Sequence, residues 1–177
     1  NRCATPVQNK NMTLRQRIGQ GIDFHRLEEG RELWLEGIHI PSDKGCVAHS
    51  DGDVLIHAIC DALLGAAGLR DIGYYFPDNS DKYKGIDSKI LLRQTVDLIS
   101  EKGYHIINID STLCLELPRL SPFIEDMCVT LASTAGIPRD NIAVKATTTE
   151  KMGFTGRGEG IVAMAVCLIA EKIPDRT

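Results

Sequence analysis

The chain has 177 residues, 43% of them hydrophobic and 25% charged, with a formal net charge of −4. This length favours one domain with a sizeable core, and the charge balance gives no global electrostatic reason to bind nucleic acid or lipid. No apolar run approaches the ~20 residues that a membrane-spanning helix requires.

Before Asp23 the chain carries Arg2, Lys10, Arg15 and Arg17 and no acid. Residues 1–15 are therefore read as an N-terminal extension, expected to be poorly ordered. It is either a transit-peptide remnant or sequence upstream of a start at Met12. Residues 16–173 are expected to form the single domain, and 174–177 a tail.

Arg17 to His25 is consistent with a strand. Arg31 to Ile40 reads as a second, because Leu33 and Leu35 alternate with Glu32, Trp34 and Glu36, and Gly37 marks a bulge or break. Pro41 and Gly45 mark a loop. The first helix is expected to start at Ser50, an N-cap answered by Asp53, with an apolar stripe of Val54, Leu55, Ala58, Ile59, Ala62 and Leu63. Asp71 to Asp81 is a polar surface loop, either a connector or the rim of a pocket.

A second helix is expected from Ser88 to about Lys102, with Gly103 as its stop. In Tyr104 to Leu117 the odd positions Ile107, Ile109, Leu113, Leu115 and Leu117 are apolar, which predicts a half-buried strand. A third helix is expected from Ser121, with Pro122 at the favoured first position, to about Thr134. Asn141 to Thr148 reads as a strand. Gly160 to Ala170 is a strand apolar on both faces, so it needs cover on both. The order β-β-α-α-β-α-β-β predicts an α+β fold: one mixed sheet with helices packed on one side.

Cysteines stand at positions 3, 46, 60, 114, 128 and 167 with no CxxC pair. Four of them (60, 114, 128, 167) lie in apolar segments, where a free thiol behaves as a small hydrophobe. Reduced structural thiols and a reducing compartment are expected.

Asp23 and His25 are two apart, so a strand points them to one face. His57 lies on the first helix with Asp53 and Asp61 one turn away on either side. A metal-bound imidazole usually donates its other ring nitrogen to a carboxylate, and Asp61 is placed to receive it. Two histidines and one carboxylate match a catalytic zinc site with an open position, or the facial triad of a non-haem iron oxygenase. The same residues also describe an ordinary hydrogen-bonded polar cluster. His49, beside Ser50 and just before the expected N-cap, suits an anion, or is simply an exposed loop histidine.

Lys145 to Gly160, KATTTEKMGFTGRGEG, is denser. Thr147 and Thr149 share one face and Thr148 the other. Glycines 153, 156, 158 and 160 let backbone amides approach a phosphate closely. Glu150 suits a hard divalent cation. No Walker A pattern is present. The bland alternative is a flexible polar hairpin.

Together RIGQGIDFH (17–25), AHSDGDVLIHAICDALLGAAGLRDIG (48–73), FPD (76–78) and VKATTTEKMGFTGRGEGI (144–161) resemble the 2-C-methyl-D-erythritol 2,4-cyclodiphosphate synthase family of the non-mevalonate isoprenoid pathway. The resemblance covers the chain apart from its first dozen or so residues. It implies cyclisation of 4-diphosphocytidyl-2-C-methyl-D-erythritol 2-phosphate with release of CMP. It further implies zinc on Asp23, His25 and His57, and magnesium or manganese on Glu150. His49 and Thr148 match positions assigned to transition-state stabilisation.

Substrate contacts are implied at Asp23, Phe24, His25, His49 and Ser50, and at Asp71, Ile72 and Gly73. Phe76, Pro77, Asp78, Asn79 and Ser80 match a further loop around the erythritol. The cytidylyl side is matched by Leu115, Glu116, Leu117, Pro118, Arg119, Leu120 and Ser121, and by Thr147, Thr148, Thr149 and Glu150, with Phe154 and Arg157 close by. A homotrimer with active sites between subunits is implied, its sheets facing the threefold axis. The compartment would be bacterial cytoplasm or plastid stroma. Two positions depart from the pattern: Gln20 stands where histidine is usual and Arg119 where lysine is frequent, and arginine binds phosphate as a planar fork. A non-catalytic zinc- and nucleotide-binding trimer remains the alternative from another class.

Overall fold

The computed structural model describes residues 15–77, 79–80 and 83–172. The extension up to residue 14, the tail, and the expected substrate contact Asp78 lie outside the described residues.

The elements are β1 (Gln16–Glu29), β2 (Leu33–Leu35), β3 (Ile38–Ile40), β4 (Lys44–Val47), α1 (Val54–Ala67), α2 (Ile72–Tyr75) and α3 (Ser88–Glu101). They continue with β5 (Tyr104–Cys114), α4 (Ile124–Ala135), β6 (Ile142–Thr147), α5 (Gly153–Gly156) and β7 (Gly160–Glu171). A five-stranded sheet runs in the order β4-β1-β7-β5-β6, and β2 and β3 form a separate ribbon. β5 and β6 are parallel and the other pairings antiparallel, so the sheet is mixed, as expected.

The centre of the fold is α1 lying across β1 and β7. Val54, Leu55, Ala58, Ile59, Ala62 and Leu63 are fully buried, as the helical spacing predicts. Two glycines on β1 allow the close approach. A Cβ on Gly19 would lie 1.9 Å from the carbonyl oxygen of Ala62, and one on Gly21 would lie 1.9 Å from that of Ala58. Ala163 and Ala165 on β7 continue this small-residue floor and are buried beneath the helix layer.

Several boundaries differ from expectation for identifiable reasons. α1 starts at Val54, and its cap is Asp53, whose carboxylate accepts from the Ile56 amide at 3.2 Å. Ser50 instead accepts from the Gly52 amide in the preceding loop. The expected strand over 31–40 is the β2–β3 hairpin, because Glu36 and Gly37 both take positive φ (56° and 69°) and reverse the chain. That is the two-residue turn whose twist matches its strands. Pro122 lies in the turn before α4, whose first position is Ile124.

In β5 the register shifts between Ile106 and Asn108. Tyr104 and Ile106 point inward before the bulge, and Ile109, Ser111 and Leu113 after it. A single inserted residue changes the parity of the inward face, so the expected odd-position rule holds only from Ile109 to the end of β5, and Leu117 beyond it is exposed.

The sheet face away from α1 is apolar and open. Ile18, Ile22 and Phe24 on β1 and Met164 and Val166 on β7 are exposed, with Ile18 at 73%. A contiguous exposed apolar patch of this kind marks an interaction surface. No helix among the described residues is long and apolar enough to cross a membrane.

Candidate active site

The end of β1 beyond Gly21 carries Asp23 and His25 on the face that α1 covers. The glycine contact at Ala58 seats the helix so that its neighbour, His57, meets both side chains. His57 Nδ1 lies 3.1 Å from Asp23 Oδ2 and 3.3 Å from His25 Nε2, and His25 Nε2 lies 3.5 Å from Asp23 Oδ2. These donor atoms all fall within 4.8 Å of one another, the convergence a metal ion needs.

The electrostatics suit the same role. Burial alone would raise the Asp23 carboxyl, but the hydrogen bond with His57 and the charges of His25 and His57 outweigh it and lower it. Burial dominates at His25 and lowers it despite Asp23, which favours a neutral imidazole. At His57 burial opposes the charge, yet the hydrogen bond and charge of Asp23, with Asp53 and Asp51 behind, hold it above its ordinary value. Two imidazoles and a carboxylate form a donor set that fits zinc or another borderline divalent metal.

Asp61 does not take the expected place behind His57. Its Oδ1 accepts from the Ile72 amide at 2.7 Å and so ties α1 to α2. The far nitrogen of His57, Nε2, instead meets Ser88 Oγ at 3.1 Å and Ser50 Oγ at 3.2 Å. Ser88 was not among the expected site residues. It is 31 residues from His57, and its only sequence signal was the start of a helix.

The triad opens into a cleft of about 470 Å³, whose lining includes His49, Ser50, Asp61, Ile72, Gly73 and Phe76 together with Tyr83, Ile86 and Leu91. His49 sits in the loop ahead of α1, not at its first turn, and its Nε2 donates to the Ser80 carbonyl at 3.2 Å. Asp71 caps α2, accepting from the Tyr74 amide at 3.0 Å.

A second cleft, of about 240 Å³, gathers Leu115, Glu116, Pro118, Arg119, Leu120, Ser121, Thr147 and Thr148 with Ile124 and Ala146. The Leu117–Pro118 bond in its wall is cis. Thr148 Oγ1 donates to Glu150 Oε1 at 3.3 Å. Glu150 and Lys151 both take positive φ (52° and 64°), which turns the chain sharply after β6. Thr149 serves that turn, its hydroxyl donating to the Met152 carbonyl at 2.6 Å. Leu117 and Arg157 line a third cleft of about 670 Å³, and the Phe154 ring lies 6.2 Å from that of Phe24, tilted by 46°. The first and second clefts share no lining residue. A single chain therefore does not bring His49 and His57 into one cleft with Thr148.

Residues 16–170 match the YgbB family. The 2-C-methyl-D-erythritol 2,4-cyclodiphosphate synthase of Bacteroides fragilis is 60% identical over 156 residues, 88% of this chain and 98% of the relative. A solved 2C-methyl-D-erythritol-2,4-cyclodiphosphate synthase superposes with a TM-score of 0.80 at 40% identity, covering 86% of this chain and 99% of that one. A Plasmodium falciparum structure in complex with CDP gives 0.78 at 35% identity, covering 89% and 97%. With the converging Asp23, His25 and His57, these likenesses place the chain in the YgbB family, that of the 2-C-methyl-D-erythritol 2,4-cyclodiphosphate synthases.

Proposed function

We propose that this synthase works as a homotrimer whose active sites lie between adjacent copies, the metal cleft of one copy facing the Leu115–Ser121 cleft of the next. The separation of the two clefts within one chain carries this reading. The exposed apolar face of Ile18, Ile22, Phe24, Met164 and Val166 supports it, since sheets turned toward a threefold axis would cover it.

The reaction converts 4-diphosphocytidyl-2-C-methyl-D-erythritol 2-phosphate to 2-C-methyl-D-erythritol 2,4-cyclodiphosphate and CMP. An oxygen of the 2-phosphate forms a bond to the β-phosphorus. The bond from that phosphorus to the α-bridging oxygen breaks, and CMP leaves with the electron pair. No general base is needed, because the attacking phosphate is already an anion near neutral pH.

Asp23, His25 and His57 would hold zinc, and Glu150 a magnesium or manganese ion. Bound there, such ions act as Lewis acids and templates that reduce repulsion between the phosphates. The chain's own part is chiefly positioning. The second cleft takes the cytidylyl group, in keeping with the CDP complex of the Plasmodium relative. Ile72, Gly73 and Phe76 wall the erythritol. Holding attacker and target in line contributes ~7–11 kcal/mol of barrier reduction. Turned from Glu150 and from the Ser80 carbonyl once substrate binds, the Thr148 hydroxyl and His49 supply donors to charge growing on the phosphoryl oxygens.

We assign the enzyme to a reducing compartment, a bacterial cytoplasm. The Bacteroides relative supports this, as do Cys46, Cys60, Cys114, Cys128 and Cys167, all free and buried. Burial pushes the Cys60 thiol to about 12, so it packs and does not react.

The test is incubation of purified protein with the substrate and Mg²⁺, with metal analysis of the same sample. CMP and a cyclic diphosphate should appear from zinc-loaded protein. An intact zinc-loaded protein releasing no CMP, or stoichiometric iron with oxygen uptake, would overturn the assignment.

A further inference from the structure

We propose that Asp51 and Ser88 are positioning residues that fix the tautomer of His57, so that its Nδ1 is the nitrogen presented to the metal. This rests on the metal reading of Asp23, His25 and His57.

The available protons fix the arrangement. Ser88 is fully buried at the first position of α3. Its hydroxyl lies 2.5 Å from Asp51 Oδ1, and its backbone amide donates to Asp51 Oδ2 at 2.8 Å. An ionised carboxylate only accepts, and a serine hydroxyl has one proton to give. That proton is committed to Asp51. Toward His57 Nε2, at 3.1 Å, Ser88 therefore offers a lone pair. Nε2 must carry the hydrogen, and the lone pair of a neutral imidazole then resides on Nδ1. Nδ1 is the nitrogen that faces Asp23 and His25, at 3.1 and 3.3 Å.

Ser50 Oγ also lies 3.2 Å from Nε2, but it cannot decide the tautomer. It accepts from the Gly52 amide and keeps its own proton, so it can serve Nε2 as either donor or acceptor. The decision belongs to the Ser88–Asp51 pair. Asp51 is itself held on both sides, since its Oδ1 also accepts from the Asp53 amide at 3.1 Å and its backbone amide donates to the Ile86 carbonyl at 3.2 Å. The pair thus bridges the loop before α1 to the start of α3. It performs through a hydroxyl what a carboxylate performs directly behind many metal-bound histidines.

Two variants separate this role from simple packing. Ser88→Ala removes the group that decides the tautomer. Asp51→Asn supplies an amide that can donate to Ser88 Oγ, which turns the serine proton toward Nε2 and favours hydrogen on Nδ1. Zinc affinity is measured by competition with a chromogenic chelator, on protein whose fold is checked by circular dichroism. The ring nitrogens of His57 are followed by ¹⁵N NMR in the same samples.

In the parent, zinc should sit on Nδ1 with hydrogen on Nε2. Each variant should bind zinc about ten- to a hundred-fold more weakly, the usual cost of losing an outer-shell partner. The ring shifts should move with the affinity. A purely structural role would lower the melting temperature and leave those shifts in place, which counts against the proposal. If one variant fails to fold, the other and the parent spectrum decide. Zinc on Nε2 of the parent overturns the proposal, as does parental affinity in the folded variants. A parent that takes up no zinc removes the metal reading itself, a separate and recognisable failure.

Discussion

A Cβ on Gly21 would lie 1.9 Å from the carbonyl oxygen of Ala58, so the strand carrying Asp23 and His25 touches, backbone to backbone, the helix carrying His57. The metal triad is thus a consequence of one close contact. Gly21→Ala must lift α1 off β1. We expect a loss of about 1–3 kcal/mol, the range for overpacking, together with weaker zinc binding. Gly19→Ala makes the same clash one turn farther away, against Ala62, and should cost similar stability with less effect on zinc. Thermal melts and zinc titrations of both variants check this; equal zinc loss in both would remove the positioning role of Gly21.

His57→Ala deletes one donor of three from the triad. Alanine favours helix, so α1 should persist. The expected outcome is protein with parental circular dichroism, little bound zinc and no turnover. Zinc content and CMP release measured on one preparation test it, and retained zinc would refute the ligand assignment.

Glu36 is fully buried, and neither of its carboxylate oxygens has a hydrogen-bond partner among the described residues. Burial first, and then the charge of Asp53, raise its carboxyl well above 4.5, against a weaker opposing effect of Lys89. The folded state therefore holds this proton more tightly than the unfolded state does. The contribution of Glu36 to stability is complete below pH 4.5 and is lost as pH rises through the elevated value. Glu36→Gln keeps the shape without the charge. In metal-free protein its melting temperature should match the parent near pH 4.5 and exceed it at pH 8. The gain should be about 1 kcal/mol or more, on the scale of an unsatisfied buried polar group. A constant difference across that range would show that Glu36 does not titrate as described.

Val166 is 45% exposed in the isolated chain, on the apolar sheet face. Val166→Lys should leave the chain folded and shift sedimentation from trimer toward monomer. In the proposed trimer each site would draw on two copies, so activity should fall as the trimer is lost. An active monomer would contradict the shared site.

Much of this was legible in the sequence where local periodicity governs. The i, i+2 spacing placed Asp23 and His25 together, and the apolar stripe placed α1 and with it His57. What was not legible depends on contacts between distant segments. Asp61 lies one turn from His57, yet its carboxylate is taken by the Ile72 amide, while Ser88 arrives from another helix. The Ser50 cap failed because Asp53 is buried and better placed for the Ile56 amide. The bulge at Ile107 altered the parity of β5 without any glycine or proline to announce it. The separation of the metal triad from Thr148 is a property of topology: β1 and α1 carry the first, while the β5–α4 connection and the end of β6 build the cleft that holds the second.

The shared site is tested most directly by co-expressing two inactive variants, His57→Ala in the metal cleft and Glu150→Ala beside the other. In a ring of head-to-tail contacts, random mixing should restore roughly a quarter of the parental sites, each built from the intact halves of two chains. CMP release by the mixed trimers at about that fraction is the predicted result. Activity no greater than that of the two variants separately would contradict it, placing both residues in one chain's site.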